Sequence, residues 1–500
     1  MRPLLIIPLM GKRHKNLFVK NNFLFNNKYD YLLNHIHKNF NFCSKVIIVC
    51  KKQDKKFIKF KRSSKINFLH LKSSINQIDT VLKIRKKISE NSSLFILNPD
   101  SLFNLNDNIL KLKKALAKSE IIFFGIKNLD YLKNNFNKDT FKILKKKVLS
   151  IKIKEGSNDN KRTFVSAGLY FFKNFDVFHD LYFNFNKKIN LNNSSYQIAH
   201  LLKESLSYKK INYLLIKDFI DLGHNKKIEE YFFWLRFFKE RFFEKDNHKF
   251  KKILNIIPAA GEGSRHKKLG YNKPKPIIPI SGKTMFENSI DRLPNKNENF
   301  FIFRKNTFNK FKIKNIFLKN KDLKNYFLIN KKTKGMAETI LLSKNKLPLN
   351  KPTIVSSCDI SFIINYKKFY KLLNKNPDGI IFTWRNYPFA DESPNSHAYV
   401  KVKNEIVTAI SEKKTISKNP NSDFAVTGIF YFKNVELLIN CIKHMMKNKI
   451  TVNNEYYVAT SMDKMLKDKK KIFNFEVDQF ISWSLPEHLK KYNYWEKILK

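Results

Sequence analysis

Cysteine is scarce: Cys43, Cys50, Cys358 and Cys441 are all there are in 500 residues, and no two form a C-x-x-C pair. That spacing gives no disulfide framework and points to a reduced, cytoplasmic setting. No uninterrupted apolar run is long enough to cross a bilayer, so no membrane span is expected. The opening MRPLLIIPLMGKRHK carries a short apolar patch without a small-residue cleavage site. It reads as a first strand rather than a leader. Acidic residues are also few, 42 against 97 Lys and Arg, for a net charge of +55. Such a charge attracts anionic partners, and non-specific RNA adhesion with them. The lysines, however, are spread along the whole chain, and Asn, Ile and Phe are abundant beside them, as codon drift in an AT-rich genome produces. No RNA-binding module motif is present, so no specific nucleic-acid partner is expected.

The length allows two or more domains with sizeable cores, and 43% apolar content fits a globular protein. Internal similarity shows how the length is used. The run Phe164 to Asn174, FVSAGLYFFKN, matches Phe424 to Asn434, FAVTGIFYFKN, with Gly168 and Gly428 separated by 260 residues. Asp79-Thr80-Val81-Leu82 matches Glu338-Thr339-Ile340-Leu341 at a separation of 259, and the strand-like runs ending in Asp100 and Asp359 share that separation. Asn192-Asn193 and Tyr196 match Asn453-Asn454 and Tyr457 at 261. Matches at a nearly constant offset indicate a tandem duplication. Each half opens on an apolar strand, Leu4 to Pro8 and Ile253 to Pro258. Strand-like runs then alternate with helical stretches, which predicts an α/β fold with a mostly parallel sheet. An amphipathic helix over 228–245 is expected to close the first half, with a boundary in Glu244 to Lys249. The domains are thus 1–247 and 248–500.

The stretch that organises the chain is KILNIIPAAGEGSRHKKLGYNKPKPIIPI, Lys252 to Ile280. Its apolar strand breaks at Pro258 into Ala259-Ala260-Gly261-Glu262-Gly263-Ser264-Arg265. Small residues and two glycines let the backbone turn tightly and approach a ligand. Successive N–H groups in such a turn form an anion site, and Arg265 can add a bidentate phosphate contact. Lys273-Pro274-Lys275-Pro276 then holds two cations on a stiff, non-helical segment. No G-K-[ST] closes the loop, which excludes a P-loop, and the third glycine of the dinucleotide fingerprint is missing. A bare G-x-G is weak, but G-x-G-x-R followed by K-P-K-P is specific. It resembles the signature of the sugar-phosphate nucleotidyltransferases.

That resemblance covers residues 252–490, and residues 1–230 only as a worn copy. It implies two tandem three-layer α/β/α domains, Rossmann-like and glycosyltransferase-A-like, with mixed central sheets. It implies an enzyme joining an NTP to a sugar 1-phosphate, releasing pyrophosphate. Arg265 and Lys275 would then be catalytic. Ala260, Gly261, Gly263 and Ser264 would bind the nucleotide phosphates, and Gly335 and Glu338 would line the base pocket. Glu412, Lys413 and Gly428 would bind the sugar phosphate, and Asp359 would hold Mg²⁺. Simpler readings stand beside these: Asp359 as a helix cap, Glu338 as an acid in a helix's first turn. Asn453 to Tyr457 would support the sugar side without direct contact. The family's second metal carboxylate is expected at Ser482, while the first half keeps Asp221 at that place. The catalytic half therefore manages with one carboxylate or is impaired. The first half, with only Met10 to Lys15 at its loop, is expected to be degenerate. A cytidylyl- or phosphocholine-type transferase, or a non-catalytic binder of nucleotide-sugars, remains an alternative, as does a homo-oligomer. A role in surface polysaccharide synthesis follows only by family analogy.

Overall fold

In the computed structural model, the residues described are 3–10, 31–52, 65–89, 91–105, 109–127, 139–144, 147–154, 162–188, 193–223, 225–240, 253–295, 298–323, 325–386 and 393–499. Gly11 to Lys15, Asn192 and the expected boundary at Glu244 to Lys249 lie outside them. The chain divides into two compact units, Met1–Ile228 and Glu229–Lys500.

Both units are built on a mixed sheet. In the first, the strands lie in the order Ile66–Leu71, Lys45–Lys51, Leu4–Leu9, Leu94–Leu97, Thr163–Phe172, Ile121–Ile126, Asn212–Asp221. In the second, the order is Asn325–Ile329, Asn299–Arg304, Leu254–Pro258, Thr353–Ser356, Phe424–Phe432, Gly379–Trp384, Ile472–Glu476. Position by position, this is one topology written twice. Within each of these runs the strands are parallel, as the alternation suggested, except that Thr163–Phe172 and Phe424–Phe432 run antiparallel to both neighbours, which makes the sheets mixed. Those two strands carry the FVSAGLYFFKN-type repeats.

Period-two alternation sends side chains to both faces of each sheet. In Asn299–Arg304, Phe300 and Ile302 join a core with Ala337, Ile340, Leu438 and Ile442, from helices on one face. Phe301 and Phe303 point the other way and pack against Phe286 and Phe317. Covered on both faces, the central strand Leu254–Pro258 is buried throughout, as an apolar parallel strand must be. The same holds in the first unit. Ile47 and Val49 share a core with Ile78, Phe178 and Leu202, while Phe95 meets Phe40 and Phe124. The architecture is therefore three-layer α/β/α in each unit.

The helix expected over 228–245 runs from Asn225 to Glu240. From Glu229 on it belongs to the second unit rather than closing the first. The reason is aromatic. Trp234, Phe237 and Phe238 pack on Tyr492 of the C-terminal helix Pro486–Leu499. The Trp495 indole donates to Glu230 Oε1 at 2.9 Å, leaving that buried donor satisfied. Trp495→Ala should lower the unfolding free energy of the second unit by about 3–5 kcal/mol. Urea denaturation checks this; a loss under about 1 kcal/mol would show that the helix pair is incidental.

Candidate active site

The strand Leu254–Pro258 delivers the glycine loop to the carboxyl edge of the second sheet. The Ala259 N–H donates to the Ile302 carbonyl at 2.8 Å, the last tie before the chain leaves the sheet. Gly261 has open space where a Cβ would be. Gly263 adopts φ +67, and a Cβ there would lie 2.7 Å from the Lys275 Cβ. The second glycine is thus needed both for left-handed backbone and for close approach of the K-P-K-P segment. Pro274, at φ −56 and ψ 146, leads into the single turn Lys275–Ile277, and this fixes Lys275 beneath the loop.

Lys275 Nζ forms an ion pair with Asp359 Oδ2. Asp359 follows the strand Thr353–Ser356 and is 6% exposed. Burial pushes its carboxyl upward, but the Lys275 charge, the Lys275 hydrogen bond and one from Ser357 outweigh that and hold it below the ordinary carboxylate range. Asp359 is therefore no helix cap: it faces a cation over the loop. Its neighbour Ile360 pairs in antiparallel register with Ser482, and the Trp483 N–H donates to the Asp359 carbonyl at 2.8 Å. Ser482 therefore stands beside Asp359 with a hydroxyl, 2.7 Å from the Ser484 hydroxyl. Asp478 sits at the far end of the same ladder, its N–H bonded to Ile363.

A cavity of about 540 Å³ opens here. Ala260, Gly261, Gly263, Ser264, Arg265, Lys275, Asp359 and Ser482 line it from one side. Glu412, Lys413 and Gly428 line it from the other, and Gly335 lies in the same wall. Eleven of the twelve expected site residues are thus brought together; Glu338 is not. Its carboxylate accepts from its own helix start, the Lys334 N–H at 2.6 Å, and pairs with Lys331 at 3.2 Å. The first unit repeats this clamp: Asp79 Oδ2 accepts from the Ile75 N–H at 2.8 Å. The match between Asp79 and Glu338 records this shared helix geometry, and Glu338, expected to line a base pocket, is not among the residues lining the cavity. Gly335 is needed for a related reason. At φ +115 a Cβ would lie 2.6 Å from the Tyr456 carbonyl, so its missing side chain makes room for protein backbone.

The far wall is organised by Lys413. Its backbone takes φ +59 just after the strand Ile406–Ser411. Its N–H donates to the His397 carbonyl at 3.1 Å, its Nζ bonds the Ser396 carbonyl, and Nζ lies 5.1 Å from the Tyr457 ring centre. Burial lowers the Lys413 pKa. Glu412 Oε1 is 3.9 Å from that Nζ, and burial, against the pull of Lys413, raises its pKa to about 7. Burial and the Lys413 charge keep His397 neutral, its pKa lowered to about 3. Gly428, at φ +92, lies at a break in the strand register and lets Ser357 approach; its carbonyl accepts the Ser357 N–H at 3.1 Å. Glu455 and Tyr457 also line the cavity. The segment Asn453 to Tyr457 therefore contributes to the wall itself, beyond the support expected of it. The repeat of Asn192-Asn193 and Tyr196 signalled the segment, but not which side chains turn inward. His266, His397 and Lys332 line the cavity too and carried no sequence signal.

A glycine loop at a strand's carboxyl end thus shares one cavity with Lys275, Lys413, Arg265 and the buried carboxylates of Asp359 and Glu412. Residues 254–496 match the family model described as nucleotidyl transferase. The bifunctional protein GlmU of Methanococcus vannielii is 33% identical over 117 residues, 22% of this chain and 27% of its own. That of Methanocaldococcus jannaschii is 26% identical over 221 residues, 43% of this chain and 47% of its own. The chain thus spans less than half the length of either relative. A solved nucleoside-diphosphate-sugar pyrophosphorylase from Vibrio cholerae covers 48% of this chain with 99% of its own, at 19% identity and a TM-score of 0.41.

The far wall carries a pH signature. Glu412 binds its proton more tightly in the folded chain than in the unfolded one, with a pKa of about 7 against 4.5. Its contribution is complete below 4.5 and is lost as pH rises toward about 7. Glu412→Gln should therefore gain stability relative to the unsubstituted chain across that interval, as followed by urea unfolding at several pH values. A difference that stays constant from pH 4.5 to 8 contradicts the burial of that carboxyl.

Proposed function

We propose that the second unit transfers a nucleotidyl group from an NTP to a sugar 1-phosphate. The observation that carries this is the sharing of one cavity by the glycine loop with Arg265 and Lys275, and by Glu412 with Lys413 opposite. The loop N–H groups and Arg265 hold the triphosphate. Lys413 grips the acceptor phosphate, and Glu412 accepts from sugar hydroxyls. An acceptor phosphate oxygen attacks the α-phosphorus in line. The bond from that phosphorus to the bridging oxygen breaks, and pyrophosphate leaves with the electron pair. No covalent enzyme intermediate is required. Catalysis then rests on positioning and on charge stabilisation. Lys275 moves from Asp359 toward the crowded phosphates as negative charge accumulates.

A magnesium ion fits this donor set in one way. Mg²⁺ is commonly held by one or two carboxylates together with substrate phosphates. Asp359 is the protein carboxylate available beside Lys275, and Ser482 adds a hydroxyl in place of a second. Among the described residues no cluster of three His, Cys, Asp or Glu is placed to hold a metal by itself. Asp359 would therefore hold an ion that arrives on the nucleotide, and that ion would neutralise phosphate charge.

The first unit supports a reading as a duplicated, degenerate copy. Gln77 and Asn98 stand where the second unit has Met336 and Ser357, at the offset of 259, and their side chains bond each other at 2.7 Å. In the second unit Ser357 and Met336, 3.6 Å apart, line the cavity. A non-catalytic binder of nucleotide-sugars is the second reading, favoured by Ser482. The intended setting is cytoplasmic; no described helix is long and apolar enough to cross a membrane.

Two measurements test the proposal. The four NTPs, each offered with a panel of sugar 1-phosphates, should give pyrophosphate for at least one pair and only with Mg²⁺; binding without release would support the second reading. Lys275→Ala should keep its circular dichroism spectrum and lose on the order of a hundredfold in turnover. Unchanged release would remove Lys275 from the chemistry.

A further inference from the structure

The loop that cradles phosphates in this reading carries an acid at its centre. Glu262 sits between Gly261 and Gly263 and lines the cavity with them. A carboxylate on a phosphate-binding loop opposes a triphosphate: at 6 Å in a half-buried setting, two like charges repel strongly enough to cost roughly tenfold or more in affinity. The structure shows where that charge goes. Glu262 Oε1 accepts from Arg304 Nη1 at 2.5 Å, and Oε2 lies 3.5 Å from Lys332 Nζ. Arg304 closes the strand Asn299–Arg304, beside the strand that feeds the loop, so it is fixed by the sheet. Its side chain is 21% exposed, whereas that of Lys332 is 73% exposed. Arg304 is accordingly the stronger anchor, since an exposed ion pair contributes little. The Arg304 hydrogen bond also holds the Glu262 carboxyl below its ordinary range.

We infer that Arg304 is a positioning residue that acts through Glu262. It draws the loop's carboxylate away from the phosphate site and neutralises it, so that the glycine loop presents N–H groups to an anion. Arg304 need not touch the nucleotide. This inference rests on the proposed nucleotide site, and the test separates the two.

Equilibrium binding of an NTP and of inorganic tripolyphosphate to the full chain is measured by calorimetry at low and high salt. The unsubstituted chain binds both. Arg304→Ala, with the carboxylate released, weakens both about tenfold or more, and the loss shrinks at high salt because it is electrostatic. Glu262→Gln alone binds at least as tightly as the unsubstituted chain. The double substitution Arg304→Ala with Glu262→Gln recovers most of the affinity. A merely structural anchor, or an Arg304 that contacts phosphate directly, leaves the double variant as weak as Arg304→Ala, and that result overturns the inference alone. Failure of the unsubstituted chain to bind either anion overturns the nucleotide site, and this inference with it. Retained melting temperature in Arg304→Ala keeps the comparison free of misfolding.

Discussion

The ion pair between Lys275 and Asp359 is the contact on which the site depends. A buried carboxylate is costly unless a cation and hydrogen bonds compensate it, and here both partners are brought from separate segments to the same strand edge. Their meeting requires the glycine loop to turn back on the K-P-K-P segment, which only the absent Cβ of Gly263 allows. It also requires the ladder between Ile360–Ile363 and Gln479–Ser482, which ties the Asp359 backbone to Trp483. One electrostatic contact thus depends on two independent pieces of backbone geometry.

The two walls of the cavity differ in character. On the loop side, backbone donors and fixed cations outnumber acids, and the acids that are present are neutralised by Lys275 and Arg304. On the far side, burial dominates: Glu412 and Lys413 are both pushed toward their neutral forms. A phosphorylated ligand with hydroxyl groups satisfies both walls at once, since its charge suits the first and its hydroxyls can pair with the second.

Much of this was legible in the sequence because glycine, proline and strand-end residues carry local geometry. The loop from Ala260 to Arg265, Lys275 and Asp359 could be placed from spacing and resemblance together. The repeat of Gly168 and Gly428 foretold a shared topology, and the sheets follow the same strand order. Direction was not legible: the central repeat strands are antiparallel to their neighbours, which an apolar run does not reveal. Glu338 was ambiguous for a physical reason, because helix starts and ligand sites both favour an acid. The helix at Asn225–Glu240 was assigned to the wrong neighbour, since its aromatic face is complementary to Tyr492 and Trp495, far away in sequence. Glu455 and Tyr457 were seen as a motif, but which residues of a turn face inward depends on tertiary contacts.

The most direct test of the central claim is a crystal structure of the full chain with a non-hydrolysable NTP analogue and Mg²⁺. The account predicts the triphosphate against the backbone of residues 261–265, with Lys275 Nζ within hydrogen-bond reach of phosphate oxygen and the ion beside Asp359. A nucleotide bound elsewhere, or phosphates in this cavity with Lys275 still paired only to Asp359, would contradict it.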